Sequence, residues 1–405
     1  MISNSAEKRI VITGLGAVTG FGQGVQALRK GLVEGKSCIR KIEDEALSDF
    51  KSQVAAMVPA EETEGVATED KVNRMAHLAA SEAIANAEIE KEEIKSCALI
   101  GAIGWRWPSQ QSVESGQVGS ISYGEGLKTL KETLGLGGRA SSCLSACAAS
   151  TQAIGQACDR ILNGELNMIL VGGADARANP LGMAGYEKLG ALAAAWNEEP
   201  SKASRPFDKK RNGFVVGEGA GFIVLESLSQ AIARNVKVLG EVVGWSSNTD
   251  AFRLTDPRPN GEQAKHCIKK CLEMSQLHPQ ELSWINAHGT STKANDRMEL
   301  RALHGALGVA LVDTPIVAMK SLFGHLSMAA GVVETIGTVL MFEENVIPKT
   351  LNFHEGDSDL DFSFRVNSVT ERLQEVPQVV LKNSFGFGGQ NACLLIRSGL
   401  ENWNE

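Results

Sequence analysis

Ser141-Ser142-Cys143-Leu144-Ser145-Ala146-Cys147-Ala148-Ala149-Ser150-Thr151 places a cysteine among small residues. A small, apolar run continues through Ala153, Ile154, Gly155, Ala157, Ile161 and Leu162. Asn163-Gly164 then supplies a helix C-terminal signal. The pattern predicts a buried helix over 147–162 with Cys147 in its first turn. Unpaired N–H groups and the positive end of the helix dipole meet there, which favours the thiolate, the nucleophilic form of cysteine. A buried free cysteine is also an ordinary small hydrophobe. This stretch alone leaves both readings open.

Two later stretches bear on the choice. Asn286-Ala287-His288-Gly289-Thr290-Ser291-Thr292 and Lys320-Ser321-Leu322-Phe323-Gly324-His325 each set a histidine beside glycine at the predicted exit of a strand. Two of only 7 histidines in such turns, with a helix-start cysteine, form a Cys/His/His set suited to nucleophilic catalysis.

These stretches, in this order, resemble the β-ketoacyl-[acyl-carrier-protein] synthases, condensing enzymes of the thiolase superfamily. Supporting motifs run along nearly the whole chain. They are Arg9-Ile10-Val11-Ile12-Thr13-Gly14-Leu15-Gly16, Ser204-Arg205-Pro206-Phe207-Asp208, Val216-Gly217-Glu218-Gly219-Ala220-Gly221 and Asn383-Ser384-Phe385-Gly386-Phe387-Gly388-Gly389. Pattern reading alone gives α/β with mixed sheets. The resemblance implies a five-layered α-β-α-β-α thiolase-like fold with two related halves. The nucleophile half is expected over 1–250 and the half with both histidines over 251–405.

The same resemblance implies the chemistry. Cys147 takes an acyl group as a thioester, and His288 and His325, both neutral, surround the thioester carbonyl of a malonyl-carrier. Lys320 holds their surroundings. Backbone N–H groups of Cys147 and Phe387 form an oxyanion hole, and Phe387 gates acyl entry. Thr290 and Thr292 match positions that bind the phosphopantetheine arm, with Gly388 in the loop beside it, and Tyr186 sits near the pocket. Asp296 and Glu299 match an acidic pair that is either structural or holds the His288 loop, and Glu334 an acid close to the site. No bound cofactor or metal is implied. Phosphopantetheine-linked acyl carrier protein is the substrate carrier, and the family is dimeric, as a homodimer or with a ketosynthase-like chain-length subunit.

The chain departs from the elongating members after the strand at 97–103. Trp105-Arg106-Trp107-Pro108 and a short link, 108–140, precede Ser141. Trp105 and Trp107 either reshape the acyl pocket or fill core space near a loop. The Trp pair and short link favour a specialised polyketide or polyene synthase over housekeeping fatty-acid elongation.

Composition agrees with a large globular enzyme. The chain has 405 residues, 43% hydrophobic and 22% charged, with 42 Gly. A net charge of −8 argues against non-specific nucleic-acid binding. Eight cysteines without a CxxC pair read as reduced thiols. Met1–Lys8 is polar and no apolar run reaches the length of a membrane span, so a cytoplasmic protein is expected.

Other segments give local expectations. Gly14 and Gly16 are expected to turn the chain after a strand over 9–13, helices are expected over 23–34 and 71–87, and Asp175–Leu192 is expected to be irregular. Lys209-Lys210-Arg211 reads as either a docking patch for an acidic carrier or a solvated turn. Two competing functions carry distinct signatures. A non-catalytic chain-length subunit typically lacks the cysteine nucleophile, which is present here. A degradative thiolase uses a second cysteine near the C-terminus, where this chain has Phe385 and Phe387, with Cys393 inside a strand.

Overall fold

The computed structural model describes residues 9–43, 45–67, 70–105, 115, 124–358 and 360–399. Two sets of five strands dominate it. The first comprises β1 (Ile10–Thr19), β2 (Ala98–Ile103), β3 (Ala140–Ser142), β4 (Met168–Asp175) and β5 (Gly219–Ser227). The second comprises β6 (Gly240–Thr249), β7 (Trp284–Asn286), β8 (Pro315–Val317), β9 (Val379–Gly386) and β10 (Gln390–Ser398). The strand order is β8-β7-β9-β10-β6-β1-β5-β4-β2-β3, with the two-residue strand Arg365–Val366 beyond β8 and Gly22–Gln23 on β1.

Each set repeats the same pairing pattern outward from the middle. Two antiparallel junctions are followed by two parallel ones: β1/β5, β5/β4, β4/β2 and β2/β3 in the first set. In the second they are β6/β10, β10/β9, β9/β7 and β7/β8. Among the described residues the sets join only through Ile10↔Val242, Val11↔Glu241 and Ile12↔Gly240. The helices repeat too. α1 (Lys71–Asn86), α2 (Glu125–Thr133) and α3 (Ala149–Leu162) belong to the first half, and α4 (Glu262–Ser275), α5 (Lys293–Leu307) and α6 (Ala330–Glu344) to the second. α3 and α6 pack on each other and touch strands of both sets, while α1 and α4 lie outside. The result is the expected α-β-α-β-α layering with two related halves.

α6 shows what the central layer demands. Ala330–Phe342 is buried on every side, including Glu334, Thr335 and Thr338, as a helix without a solvent face must be. The two central helices approach closely at their N-termini. A Cβ on Gly331 would lie 2.0 Å from Thr151 Oγ1.

Two local expectations are corrected. Gly14 and Gly16 do not turn the chain, because β1 runs through both, buried throughout, with a bulge between Ile12 and Gly14. Their role is close packing. A Cβ on Gly16 would lie 1.9 Å from the Ala79 carbonyl oxygen, and one on Gly14 2.2 Å from that of Ala83, so α1 lies directly on the strand. Residues 180–188 form a helix, with Asn179 capping it by accepting from the Gly182 N–H and Pro180 in the first turn. The helices expected near 23–34 and 71–87 occur as Val25–Glu34 and α1. Among the described residues no helix is long and apolar enough to cross a membrane.

Candidate active site

The two halves supply equivalent turns to the centre. In the first, a 3-10 turn (Ala146–Ala148) leads into α3, and Ala146 has φ +50°. In the second, Ser327–Ala329 leads into α6, and Ser327 has φ +49°. A left-handed residue at such a turn is unfavourable for a side chain with a Cβ. A single residue separates it from the N-cap of the helix. That residue is Cys147 in one half and Met328 in the other.

Cys147 is half-buried and lines a cavity of about 490 Å3 with Tyr186, Phe214, His288, His325 and Phe387. Burial pushes its thiol up to about 11, against the opposing charges of Arg177 and Lys320 and a hydrogen bond from the Phe387 N–H. Desolvation thus opposes the thiolate that the helix start favours, and it outweighs the positive neighbours. Gly386 leaves the room that this turn needs, since a Cβ there would sit 3.1 Å from the Cys147 nitrogen.

His288 and His325 are both buried, with ring centroids 5.3 Å apart at 85°. The His288 loop is held by Glu299, which accepts the His288 and Gly289 N–H groups at 2.8 Å each. Asp296 accepts the Phe207 and Ser291 N–H groups at 2.8 and 3.2 Å. The His288 Nδ1 lies 3.3 Å from Lys320 Nζ, an ammonium that can only donate. The His325 Nδ1 accepts from the Ser327 N–H at 3.2 Å. Both rings therefore carry their proton on Nε2. Burial first, then Lys320, lowers both well below the ordinary histidine range, with His325 and Lys382 adding for His288, and Arg177 and Lys382 for His325.

Behind the rings lies a buried charge cluster. Lys320 Nζ is 2.5 Å from Glu334 Oε1. Lys382 Nζ is 2.7 Å from Glu334 Oε2, as a close ion pair at an angle outside that of a hydrogen bond. Arg177, whose charge also acts on Cys147, donates to Asp175 Oδ2 at 2.8 Å and to the Tyr186 hydroxyl at 3.0 Å. The Tyr186 hydroxyl lies 3.3 Å from Ser327 Oγ.

Two domain models of the β-ketoacyl synthases match, the N-terminal one over residues 7–231 and the C-terminal one over 239–354. The chain belongs to the β-ketoacyl synthase family. This β-ketoacyl synthase is 34% identical over 419 residues to 3-oxoacyl-[acyl-carrier-protein] synthase 2 of Synechocystis, covering 98% of the chain and 99% of the relative. It is 32% identical to the protein of that name from Coxiella burnetii, covering 96% and 98%. Among solved structures it superposes on a β-ketoacyl synthase from Burkholderia phymatum with a TM-score of 0.84 at 30% identity, covering 96% and 99%. The ishigamide ketosynthase/chain length factor gives the same TM-score, identity and coverage.

In this β-ketoacyl synthase the cavity brings together Cys147, His288, His325, Tyr186, Thr290, Thr292 and Phe387. The Thr290 and Thr292 hydroxyls lie 2.9 Å apart, and Thr292 also caps α5 by accepting from the Asn295 N–H. Lys320 stands behind His288, outside the lining. Trp105 does not line this cavity. It leaves β2 just after Gly104, whose N–H donates to the Ala174 carbonyl, so it sits at the β2/β4 end. Trp107 and residues 108–114 and 116–123 of the link lie outside the described residues. Gly388 does not line the cavity either. Its N–H donates to the Leu254 carbonyl at 2.6 Å and fastens the loop there. The triplet 209–211 is no basic patch, because Arg211 is buried against Asp357 and Asp296 and Lys209 pairs with Glu355.

Two charged residues escaped the sequence reading. Lys382 is the one charge in the buried strand VVLKNSFG, and that isolation was its signal. Arg177 follows the Gly- and Ala-rich exit of β4 and had no such mark.

Proposed function

We propose that this chain is a β-ketoacyl-[acyl-carrier-protein] synthase performing a decarboxylative Claisen condensation in fatty-acid or polyketide chain elongation. The carrying observation is one cavity in which Cys147 faces two neutral imidazoles whose Nδ1 atoms are both occupied. Cys147 attacks a carrier thioester, and the carrier thiol leaves with the cysteine's proton. A malonyl-carrier then binds, with His288 and His325 donating from Nε2 to its thioester oxygen. The carboxylate departs as CO2, and its bonding electrons become the enolate that these donors stabilise. The enolate carbon attacks the acyl-cysteine, and the N–H groups of Cys147 and Phe387 receive the oxyanion. Its collapse expels the cysteine sulfur, which regains a proton. Lys320 orients His288, Thr290 and Thr292 hold the pantetheine arm, and Phe387 with Tyr186 borders acyl entry. The intact Cys/His/His set disfavours the non-catalytic chain-length reading.

The direct test mixes the protein with acyl- and malonyl-carrier thioesters and follows CO2 release and the 3-oxoacyl product. CO2 and product are expected together. Neither, with any acyl donor and with a co-purified partner present, removes the enzyme reading.

The carrier is the acidic phosphopantetheine protein. A solved relative is described as a type II polyketide synthase acyl-carrier protein bound to its ketosynthase. In this chain Lys293 lies exposed at the cavity mouth beside Thr292, with Arg253 exposed on the neighbouring loop. Lys293→Glu should raise KM for carrier-linked substrate on the order of 10-fold and leave KM for a pantetheine thioester unchanged. Equal changes in both would move docking elsewhere. The second subunit is a chain of the same fold, a copy or a chain-length subunit, joined at the exposed β3 edge. Free cysteines support a reducing compartment such as the cytoplasm. We draw the division between the halves at Gly240, where β6 begins, rather than at the expected 250, which would leave β6 in the first half.

A further inference from the structure

Lys382 occupies a place that the proposed reaction does not yet use. It is fully buried on β9, two residues before Ser384. Its ammonium donates to the Asn383 carbonyl and, at 2.9 Å, to Ser384 Oγ. Ser384 Oγ in turn lies 2.8 Å from Thr151 Oγ1 on α3, the helix that follows Cys147. Its charge faces Glu334 Oε2 at 2.7 Å, while Lys320 holds Glu334 Oε1 at 2.5 Å. One carboxylate on α6 thus sits between two ammonium groups. A buried Lys320–Glu334 pair would already be balanced. The second lysine gives this carboxylate two cations, a surplus that burial makes costly, with Glu299 as a weaker opposing charge. Such a cost is expected where a function needs the charge.

We propose that Lys382 is a positioning residue for the condensation, holding one side of the Glu334 carboxylate so that Lys320 also serves His288, and adding positive charge behind the two imidazoles. The proposal rests on the condensation reading above. Two consequences follow from Coulomb's law at short range in a poorly solvated site. The surplus charge opposes protonation of His288 and His325 at Nδ1, so both stay neutral and keep their Nδ1 contacts in mildly acid solution. It also favours the enolate, an anion formed where those donors converge.

The charged groups around the rings are consistent with this balance. Lys320 lies behind His288, Glu334 on α6, Lys382 on β9, Glu299 and Asp296 on α5, and Asp175 and Arg177 at the end of β4, with Cys147 across the cavity. Glu299 is engaged by the His288 and Gly289 N–H groups and by Asn383 Nδ2. Asp175 is engaged by Arg177 and the Ala176 N–H. Glu334 is the acid shared between the two lysines. Lys382 itself is lowered by burial, against Glu334, so its influence fades as the solution becomes alkaline.

The test is the pH profile of decarboxylation of a malonyl-pantetheine thioester by the full-length protein. K382M and K382Q remove the charge and K382R keeps it. The neutral variants should shift the acid limb upward by about one pH unit, about a tenfold loss on that limb, and converge with wild type at high pH. K382R should follow the wild-type limb. Thermal melts of each variant accompany the profiles. Neutral variants that keep the wild-type limb overturn the proposal. So do neutral variants that fail to fold, since Lys382 would then serve stability alone. Wild type that releases no CO2 rejects the condensation reading instead, a separate result.

Discussion

Cys147→Ala should abolish the acyl adduct seen by intact-protein mass after mixing with acyl-carrier thioesters, and lower condensation on the order of 10,000-fold or more. Alanine keeps the tight turn after Ala146 and removes only the sulfur, so the fold is expected to survive. The enzyme left behind still has both imidazoles and their Nε2 protons. Malonyl decarboxylation, which needs no cysteine sulfur, should therefore persist while condensation is lost. The resting thiol adds a pH signature. With its pKa pushed up to about 11 by burial, alkylation of Cys147 by iodoacetamide should keep rising with pH through pH 9. A thiolate already formed at neutral pH would give a plateau below pH 8. An adduct that survives in Cys147→Ala would place the acyl group on another residue and remove the nucleophile assignment.

Sequence reasoning reached Cys147, His288 and His325 for a physical reason. Each sits in a turn that needs small residues, and Ala146 and Gly289 take left-handed φ there, so composition marks the position of the chemistry. Glu334 was visible because a charge in an apolar helix must find a partner, whereas Glu299, on a helix with several charges, was reached only through the motif it matches. Gly14 and Gly16 were misjudged because a glycine that admits a neighbouring helix looks the same in sequence as one that turns the chain. The helix Pro180–Lys188 was missed because its Gly and Ala content hides any apolar face, although Asn179-Pro180 was a legible cap. Arg211 illustrates the opposite failure. Three basic residues in a row suggest a surface, and only the partners Asp296 and Asp357, distant in sequence, show the third to be internal. The repeat of the halves lies in strand pairing, which a single sequence does not display.

His288→Ala and His325→Ala should each lower malonyl decarboxylation about 100- to 1,000-fold, the cost of losing one donor to a developing oxyanion. Acylation of Cys147 should continue in both, because its oxyanion hole is the N–H pair of Cys147 and Phe387. The double variant should fall less than the product of the two losses, since both donors serve one oxygen. The pH dependence follows from the same contacts. A second proton on either ring would have to enter at Nδ1, where Lys320 Nζ stands against His288 and the Ser327 N–H against His325. Protonation thus adds a cation beside Lys320 and breaks an existing contact. Both rings are lowered well below 6.5, so wild-type decarboxylation should stay level as pH falls through 6.5 and decline only in more acid solution. A decline centred near 6.5 would mean solvated rings free to take that proton. Loss of Cys147 acylation in His325→Ala would assign His325 to the first half-reaction, as a base toward the sulfur, and would leave His288 as the principal donor to the enolate.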